Sequence, residues 1–225
     1  MGLNATINPE ISNDEFQIAI SRISADPRVR TILEIGASSG EGSTAGLAQG
    51  MKRNPSKPQL YAIELSKPRF QKLVALYRKR PDIHCFNVAS VTASETLSEP
   101  EVISFYEAQK NTLPFFQHFD HTDLLGWLRD TNAYISDNNA TTGGIEKIKL
   151  QTGIEVFDFV LIDGGPFTGK SELEKTYGAK FIALDDIFDI KNFDNHRELL
   201  GDPSYDLVVF SKNLRNGFSI FERKN

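Results

Sequence analysis

Cysteines and long apolar runs are scarce in this chain of 225 residues. Its one cysteine, Cys85, cannot form an intramolecular disulfide or build a cysteine-based metal cluster, which suits a reducing compartment. No stretch approaches the ~20 apolar residues that a membrane span needs. The first residues lack the basic and apolar regions of a secretory signal. We therefore expect a cytoplasmic protein without a membrane span.

An excess of basic residues is also missing. The chain has 25 Lys and Arg against 30 Asp and Glu, which gives a formal net charge of −5. Such a chain has no overall basic field to attract nucleic acid, so we expect no nucleic-acid partner. Its length and its hydrophobic fraction of 40% fit a single globular domain that spans residues 1–225.

The order of apolar and amphipathic segments predicts an α/β fold. Apolar runs alternate with helical patterns through most of the chain, which predicts a mostly parallel sheet with helices on both faces. The last two runs have no helix between them and should form an antiparallel hairpin. The predicted strands are 31–35, 60–65, 83–88, 157–162, 180–184, 205–211 and 217–223.

One interval, residues 92–155, breaks this alternation. It is much longer than an ordinary connection between a strand and a helix. It contains helical patterns and many aromatic residues, in stretches such as "FYEAQKNTLPFFQHFDHTDLLGW". We expect an insertion between strands three and four, acting as a lid or a substrate-recognition element; the alternative is a surface excursion without a role in function.

A glycine-containing loop with an acidic residue before it follows the first predicted strand. Gly36, Gly40 and Gly42 allow a ligand to approach the backbone, next to the free N–H groups at the start of a helix. Their spacing is not the G-x-G-x-x-G of dinucleotide-binding proteins. Glu34 would repel a pyrophosphate and suits a ligand with a positively charged group, such as the ammonium of an amino acid.

An acidic residue stands at the end of three predicted strands: Glu34 in "LEIGASSG", Glu64 in "YAIELS" and Asp163 in "FDFVLIDGG". In this pattern the chain resembles class I S-adenosylmethionine-dependent methyltransferases. The family often has glycine where Ser38 stands. The resemblance implies S-adenosylmethionine as cofactor, with Glu34 near its ammonium and Glu64 on both ribose hydroxyls. It further places Gly36, Ala37 and Gly40 at the methionine part and Asn87, Val88 and Ala89 near the adenine.

The predicted architecture is therefore a Rossmann-like, doubly wound, seven-stranded sheet. We predict the strand order 3-2-1-4-5-7-6 with only strand seven antiparallel, because the alternating segments end in a pair without a helix. The helical insertion lies between strands three and four.

Two segments in the C-terminal half indicate which kind of methyltransferase the chain resembles. The segment "DGGPF" lacks the Asn/Asp-Pro-Pro-aromatic motif of enzymes that methylate base amines. The combination "VLIDGG…FIALDDI" resembles metal-assisted O-methyltransferases of the catechol and macrolide-sugar type, and bacterial methyltransferases found with surface-polysaccharide genes. That resemblance implies Mg²⁺ held by Asp163, Asp185 and Asp186; alternatively the last two cap a following helix.

The expected reaction is O-methylation of a small-molecule or sugar-like hydroxyl, with Mg²⁺ as a second cofactor. Candidate catalytic residues are Asp163 and three histidines, His118, His121 and His196. For His118 and His121, the alternative is that they lie at the start of a surface helix capped by Asp120 or Thr122. Two other functions stay open: a metal-dependent hydroxylase on the same scaffold, and a non-catalytic cofactor-binding protein. The oligomeric state is open as well, a homodimer included.

Overall fold

The structure is a computed structural model that describes residues 2–224; positions 1 and 225 of the expected domain lie outside the described residues. A seven-stranded sheet forms its centre. The strands are β1 Thr31–Ile35, β2 Gln59–Ile63, β3 Ile83–Phe86, β4 Phe159–Ile162, β5 Phe181–Asp185, β6 Tyr205–Ser211 and β7 Phe218–Arg223. The helices are α1 Glu15–Ser24, α2 Ser43–Met51, α3 Lys67–Tyr77, α4 Glu99–Gln109, α5 His121–Asp137, α6 Gly144–Thr152, α7 Gly169–Thr176 and α8 Phe193–Gly201.

The strand order is β3-β2-β1-β4-β5-β7-β6, and this confirms the predicted order. The pairs β1·β2, β2·β3, β1·β4 and β4·β5 are parallel. Strand β7 runs antiparallel to both of its neighbours, β5 and β6. The predicted direction of strand seven is confirmed too, since a short turn between β6 and β7 leaves no room for the helix that a parallel connection requires.

The apolar core lies on both faces of the sheet, because successive side chains of a strand point to opposite faces. In β1, Ile32 packs with residues of α1 and α2, among them Phe16 and Leu47. Its neighbour Leu33 packs on the other face with residues of α6, α7 and α8. This two-sided burial explains why the central strands are nearly continuous apolar runs.

The segment between β3 and β4 forms three helices, α4, α5 and α6, with a small core of its own. Apolar residues of α4 and α5 pack there against Phe167 and Ile190, which follow β4 and β5. The segment is tied to the sheet at both ends: Leu97 N–H donates to the Phe167 carbonyl at 2.9 Å, and Gly143 N–H donates to the Val91 carbonyl at 3.1 Å. The insertion therefore stands beside the carboxyl ends of β4 and β5.

The longest helix, α5, has 17 residues and four buried side chains on one side. None of the helices within residues 2–224 combines the length and the apolar character that crossing a membrane requires.

Candidate active site

A cavity of about 1170 Å³ lies at the carboxyl ends of the parallel strands. In open α/β sheets, ligands bind in the crevice at this edge. The floor comes from the loops that follow the strands, and the walls come from the N-terminal segment and the insertion. The lining includes residues 35–39, 63–65, 88–90, 163–168 and 185–186 from the sheet edge, 2–4 and 7–11 from the N-terminus, and 115, 119, 127, 130–131 and 133–135 from the insertion.

The glycine loop after β1 packs closely on its surroundings. Gly36 has a φ of +92°, and a β-carbon there would lie 2.0 Å from the Asp163 carbonyl oxygen. Gly40 has a φ of +82°, and a β-carbon there would overlap Leu73 of α3. Of the three residues predicted at the methionine part of the cofactor, Gly36 and Ala37 line the cavity, whereas Gly40 faces α3 and is not among the lining residues.

The carboxylate of Glu34 lies away from the cavity. Glu34 is fully buried, and its two oxygens accept hydrogen bonds from the Ser43 and Thr44 hydroxyls at 2.6 and 2.8 Å. Its position in β1, two residues after Ile32, places its side chain on the same face of the sheet as Ile32, beneath the start of α2. The expected contact with an ammonium group is therefore replaced by a contact with α2. Burial raises the pKa of Glu34 to about 7, despite the two hydroxyl donors.

Glu64, at the end of β2, lines the cavity and connects two of its loops. Its oxygens accept from the backbone N–H of Ser38 at 2.7 Å and of Ser66 at 2.6 Å. Burial raises its pKa, and the two backbone hydrogen bonds offset part of that rise. Ser38 has a φ of +50°, and its buried hydroxyl oxygen has no hydrogen-bond partner within residues 2–224. The loop after β1 thus presents an unused polar atom beside Glu64.

The three residues predicted near an adenine divide into two groups. Val88 and Ala89 line the cavity. Asn87 lies outside the lining, because its amide donates to the Glu64 and Leu65 carbonyls at 2.8 and 2.9 Å. Asn87 therefore fixes the backbone that carries Glu64.

The three predicted metal ligands, Asp163, Asp185 and Asp186, come together at the ends of β4 and β5. Each offers one carboxylate oxygen, and the three oxygens lie within 4.8 Å of one another. Neither Asp185, the last residue of β5, nor Asp186, which follows it, caps a helix, because α8 begins only at Phe193. We call these three residues the carboxylate cluster.

Lys191 lies within the carboxylate cluster, which the sequence analysis did not anticipate. Its ammonium donates to Asp163 Oδ1 at 2.9 Å and to Asp186 Oδ2 at 2.7 Å. Burial lowers the pKa of Lys191, but the surrounding carboxylates outweigh it and raise the pKa above its usual value. Arg215 donates to Asp185 at 3.1 Å, and Asn216 donates to Asp186 at 3.1 Å.

The acids of the cluster differ in proton affinity. Burial and the two neighbouring carboxylates raise the pKa of Asp163, while the Lys191 ammonium acts against them. Burial and Asp186 raise the pKa of Asp185 to about 6. Burial also raises the pKa of Asp186, but Lys191 and Asn216 outweigh it, so the pKa falls below the usual value.

A fourth acid, Asp189, also lines the cavity and was not predicted. It accepts from the backbone N–H of Lys191 at 2.7 Å, and burial raises its pKa to about 8. The only trace of Asp189 and Lys191 in the sequence is the segment "DDIFDIK", in which the last acid of β5 is followed closely by two more acids and one lysine.

None of the three candidate histidines lines the cavity. His118 is exposed, and His121 begins α5 behind Asp120, which accepts from the backbone N–H of Thr122 at 2.7 Å. This is the capped surface helix that stood as the alternative. His196 is buried on α8, 3.0 Å from the Ser219 hydroxyl of β7. The structure thus places none of the three candidate histidines at the cavity, whereas Asp163 lines it.

Three aromatic side chains of the insertion, Phe115, Phe119 and Trp127, form one wall of the cavity. The Phe119 and Trp127 rings lie 4.9 Å apart in an edge-to-face arrangement, and Phe115 lies 5.0 Å from Phe119. We call these residues the aromatic wall. It offers a flat apolar surface to a ligand ring.

Comparison with solved structures shows the same arrangement of strands and helices. An O-methyltransferase from Bacillus cereus in complex with S-adenosylhomocysteine aligns over 95% of this chain and 82% of its own, with 15% identity and a TM-score of 0.51. The S-adenosylhomocysteine-bound methyltransferase PaMTH1 of Podospora anserina aligns over 96% and 81%, with 12% identity and a TM-score of 0.54. The fold is that of class I S-adenosylmethionine-dependent methyltransferases.

A third methyltransferase extends this fold similarity. The O-methyltransferase TomG of Streptomyces achromogenes, in complex with S-adenosylmethionine, aligns over 93% of this chain and 79% of its own, with 13% identity and a TM-score of 0.53. No protein-family model and no curated protein matches the sequence. At these identities the methyltransferase likeness establishes the fold, and the activity has to be argued from the site.

Proposed function

We propose that this protein transfers a methyl group from S-adenosylmethionine to a hydroxyl of a small-molecule or sugar-like acceptor. One observation carries the proposal: a single cavity at the carboxyl edge of a methyltransferase sheet holds Glu64 and the glycine loop on one side and the carboxylate cluster with Lys191 on the other. A donor bound along the first side would present its methyl group toward the second.

The cofactor side fits a nucleoside with vicinal hydroxyls and an amino-acid tail. Each Glu64 oxygen uses one lone pair on a backbone N–H and retains another for a ribose hydroxyl. The Ser38 hydroxyl, which has no partner in the described part of the chain, can bond a polar group of the ligand. Val88 and Ala89 give the base an apolar contact.

The acceptor side supplies a base and a positive charge. The bound cofactor supplies an electrophilic methyl group on a sulfonium; the acceptor oxygen forms a bond to this carbon as the carbon–sulfur bond breaks, and the bonding pair stays on sulfur as S-adenosylhomocysteine leaves. Asp163, which lines the cavity, takes the hydroxyl proton and passes it to solvent. Holding donor and acceptor in line supplies much of the acceleration.

Mg²⁺ fits the ligand chemistry of the carboxylate cluster, because hard carboxylate oxygens are its preferred protein ligands. It does not fit the arrangement around the cluster, since the Lys191 ammonium already contacts Asp163 and Asp186. The Mg²⁺ predicted from the sequence therefore takes no part in the proposed reaction.

The alternatives have less support from the site. A metal-dependent hydroxylase would typically use two histidines and a carboxylate around iron, and no histidine lines the cavity. A non-catalytic binding protein would not need acids and a buried lysine facing the place of the methyl group. The aromatic wall supports an acceptor with a ring, either a sugar or an aromatic compound.

Two measurements test the proposed function. Calorimetry with S-adenosylhomocysteine should show one binding site per chain. Incubation with S-adenosylmethionine carrying a labelled methyl group, against a panel of phenolic and sugar hydroxyls, should then transfer label to an acceptor oxygen. Absence of cofactor binding would refute the proposal, and binding without transfer to any hydroxyl would favour the non-catalytic alternative.

A further inference from the structure

We infer that the Lys191 ammonium is the resident cation of the carboxylate cluster, where it stands in for a divalent metal ion and donates a hydrogen bond to the acceptor oxygen. The catalytic part of this inference rests on the proposed function; the part that concerns metal binding does not.

Lys191 occupies the position that a metal ion would need in the cluster. Its ammonium lies 2.9 Å from Asp163 Oδ1 and 2.7 Å from Asp186 Oδ2, so it bridges the ends of β4 and β5. A Mg²⁺ ion bound to the same two oxygens at about 2.1 Å would lie less than about 5 Å from the ammonium. Two positive charges at that distance in a buried site repel each other strongly.

The carboxylates of the cluster already accept hydrogen bonds from side chains of this protein. Asp186 uses one oxygen on Lys191 and the other on Asn216. Asp185 accepts from Arg215, whose guanidinium also pairs with Asp14 at 2.6 Å. Each acid of the cluster therefore already has an N–H donor from this chain, and a metal ion would have to displace these donors to gain its ligands.

Lys191 is buried together with the carboxylates that it pairs with. Only 9% of its side chain is exposed, and a buried charge persists only where it is paired. Removing the lysine would leave Asp163 and Asp186 close together without a cation between them, which is strongly unfavourable. The chain thus needs a positive charge at this point, and Lys191 provides it without a metal.

The third N–H of the ammonium connects this arrangement to catalysis. Lysine has three N–H donors, and two of them go to carboxylates. Within residues 2–224 the third has no hydrogen-bond acceptor, and Lys191 lines the cavity. An acceptor oxygen placed there would receive this N–H bond as it loses its proton to Asp163, and the fixed ammonium would stabilise the developing negative charge.

Metal binding tests the first half of the inference. Wild-type protein freed of metal with EDTA is titrated with Mg²⁺ by calorimetry and with Mn²⁺ by electron paramagnetic resonance, beside Lys191→Met and the exposed-lysine control Lys72→Met. We expect no stoichiometric site in the wild type or the control, and one site in Lys191→Met. The double variant Asp186→Asn/Lys191→Met should lose that site, which would locate the ion in the cluster.

Two results would overturn this half. One is a stoichiometric Mg²⁺ site in the wild type that Asp186→Asn abolishes. The other is the absence of a metal site in both the wild type and the lysine variant, because the ammonium would then not stand in for a metal. If Lys191→Met does not fold, Lys191→Gln, which keeps a polar head on a side chain one bond shorter, is judged by the same two criteria.

Turnover tests the second half, with the acceptor found in the labelling panel. EDTA-treated wild type should keep full activity, whereas Lys191→Met should lose kcat on the order of 100-fold with its affinity for S-adenosylhomocysteine unchanged. Loss of wild-type activity in EDTA, restored by Mg²⁺, would refute the catalytic role. If the wild type binds S-adenosylhomocysteine but methylates nothing, the proposed function fails while the metal titrations still decide the first half.

Discussion

The α-carbon of Gly36 packs against the main-chain carbonyl of Asp163, so closely that a β-carbon on Gly36 would lie 2.0 Å from that oxygen. This contact brings the loop after β1 against the loop after β4, at the centre of the cavity edge. It links the cofactor side of the cavity to the residue proposed as the base. The glycine is therefore required by packing between two loops as well as by its positive φ of +92°.

Gly36→Ala should destabilise the fold and abolish cofactor binding. The left-handed backbone alone costs about 1–3 kcal/mol for a residue with a side chain, and the collision with a backbone atom adds to that. Urea unfolding measures the loss. The control is Gly126→Ala in α5, where an added β-carbon meets nothing within 4 Å and should stabilise the helix by about 0.5–1 kcal/mol. Equal stability of the two variants would contradict the packing role of Gly36.

The sequence predicted the sheet well because its signals were local. The alternation of apolar runs with helical patterns, followed by a final pair of runs without a helix between them, led to the strand order that the structure confirms. The carboxyl edge of a parallel sheet also brings strand ends together, so Glu64, Asp163, Asp185 and Asp186 could be placed in one crevice.

The parts that the sequence did not predict depend on side-chain direction and on tertiary pairing. Glu34 follows the alternation of β1 to the α2 face, although its place before the glycines suggested a ligand contact. Lys191 carries no motif, and only the folded loop after β5 returns its ammonium to Asp163, 28 residues earlier in the chain. His196 was one candidate for the catalytic base, but the orientation of α8 turns it toward Ser219.

Glu34→Gln should change how stability depends on pH. The pKa of Glu34 is about 7 in the folded protein against 4.5 as its ordinary value, so the folded state favours the protonated form. Stability from this group is fully present below pH 4.5 and is lost as pH rises toward 7, by about 3 kcal/mol in total. The glutamine cannot ionise, and its amide can keep bonds to the Ser43 and Thr44 hydroxyls.

The free energy of unfolding, measured by urea titration at several pH values, checks this expectation. The difference between Glu34→Gln and the wild type should grow in favour of the variant between pH 4.5 and 7 and level off above. A difference that does not vary with pH would mean that Glu34 is ionised throughout. The exposed Glu198→Gln on α8 serves as the control.

Glu64→Ala should weaken cofactor binding by a few kcal/mol, about 2–4, because it would remove the charge-assisted bonds that we propose to two ribose hydroxyls. It also removes the acceptors for the Ser38 and Ser66 amides. Glu64→Gln keeps one oxygen that can accept from a backbone N–H. Comparing it with Glu64→Ala therefore separates the loss of the ribose bonds from the loss of the backbone bonds. Calorimetry with S-adenosylhomocysteine measures the affinity, with the exposed Glu198→Ala as the control. Unchanged affinity in Glu64→Ala would remove Glu64 from the cofactor site.

The aromatic wall should determine acceptor binding and leave the cofactor side untouched. Trp127 packs edge-to-face on Phe119 at 4.9 Å, and both line the cavity from the insertion. Trp127→Ala removes the larger flat surface, so KM for the acceptor should rise roughly 10-fold, as expected for about 1.4 kcal/mol of lost stacking. The affinity for S-adenosylhomocysteine should stay within error, because Trp127 packs with Phe167 and Ile190 beyond β4 and β5, whereas Glu64 follows β2. Leu150→Ala, on the same insertion but 87% exposed, is the matched control and should change neither value.

A rise in KM confined to Trp127→Ala would make the insertion the acceptor-recognition element. Unchanged kinetics in both Trp127→Ala and Phe119→Ala would leave the insertion a surface excursion without a role in recognition.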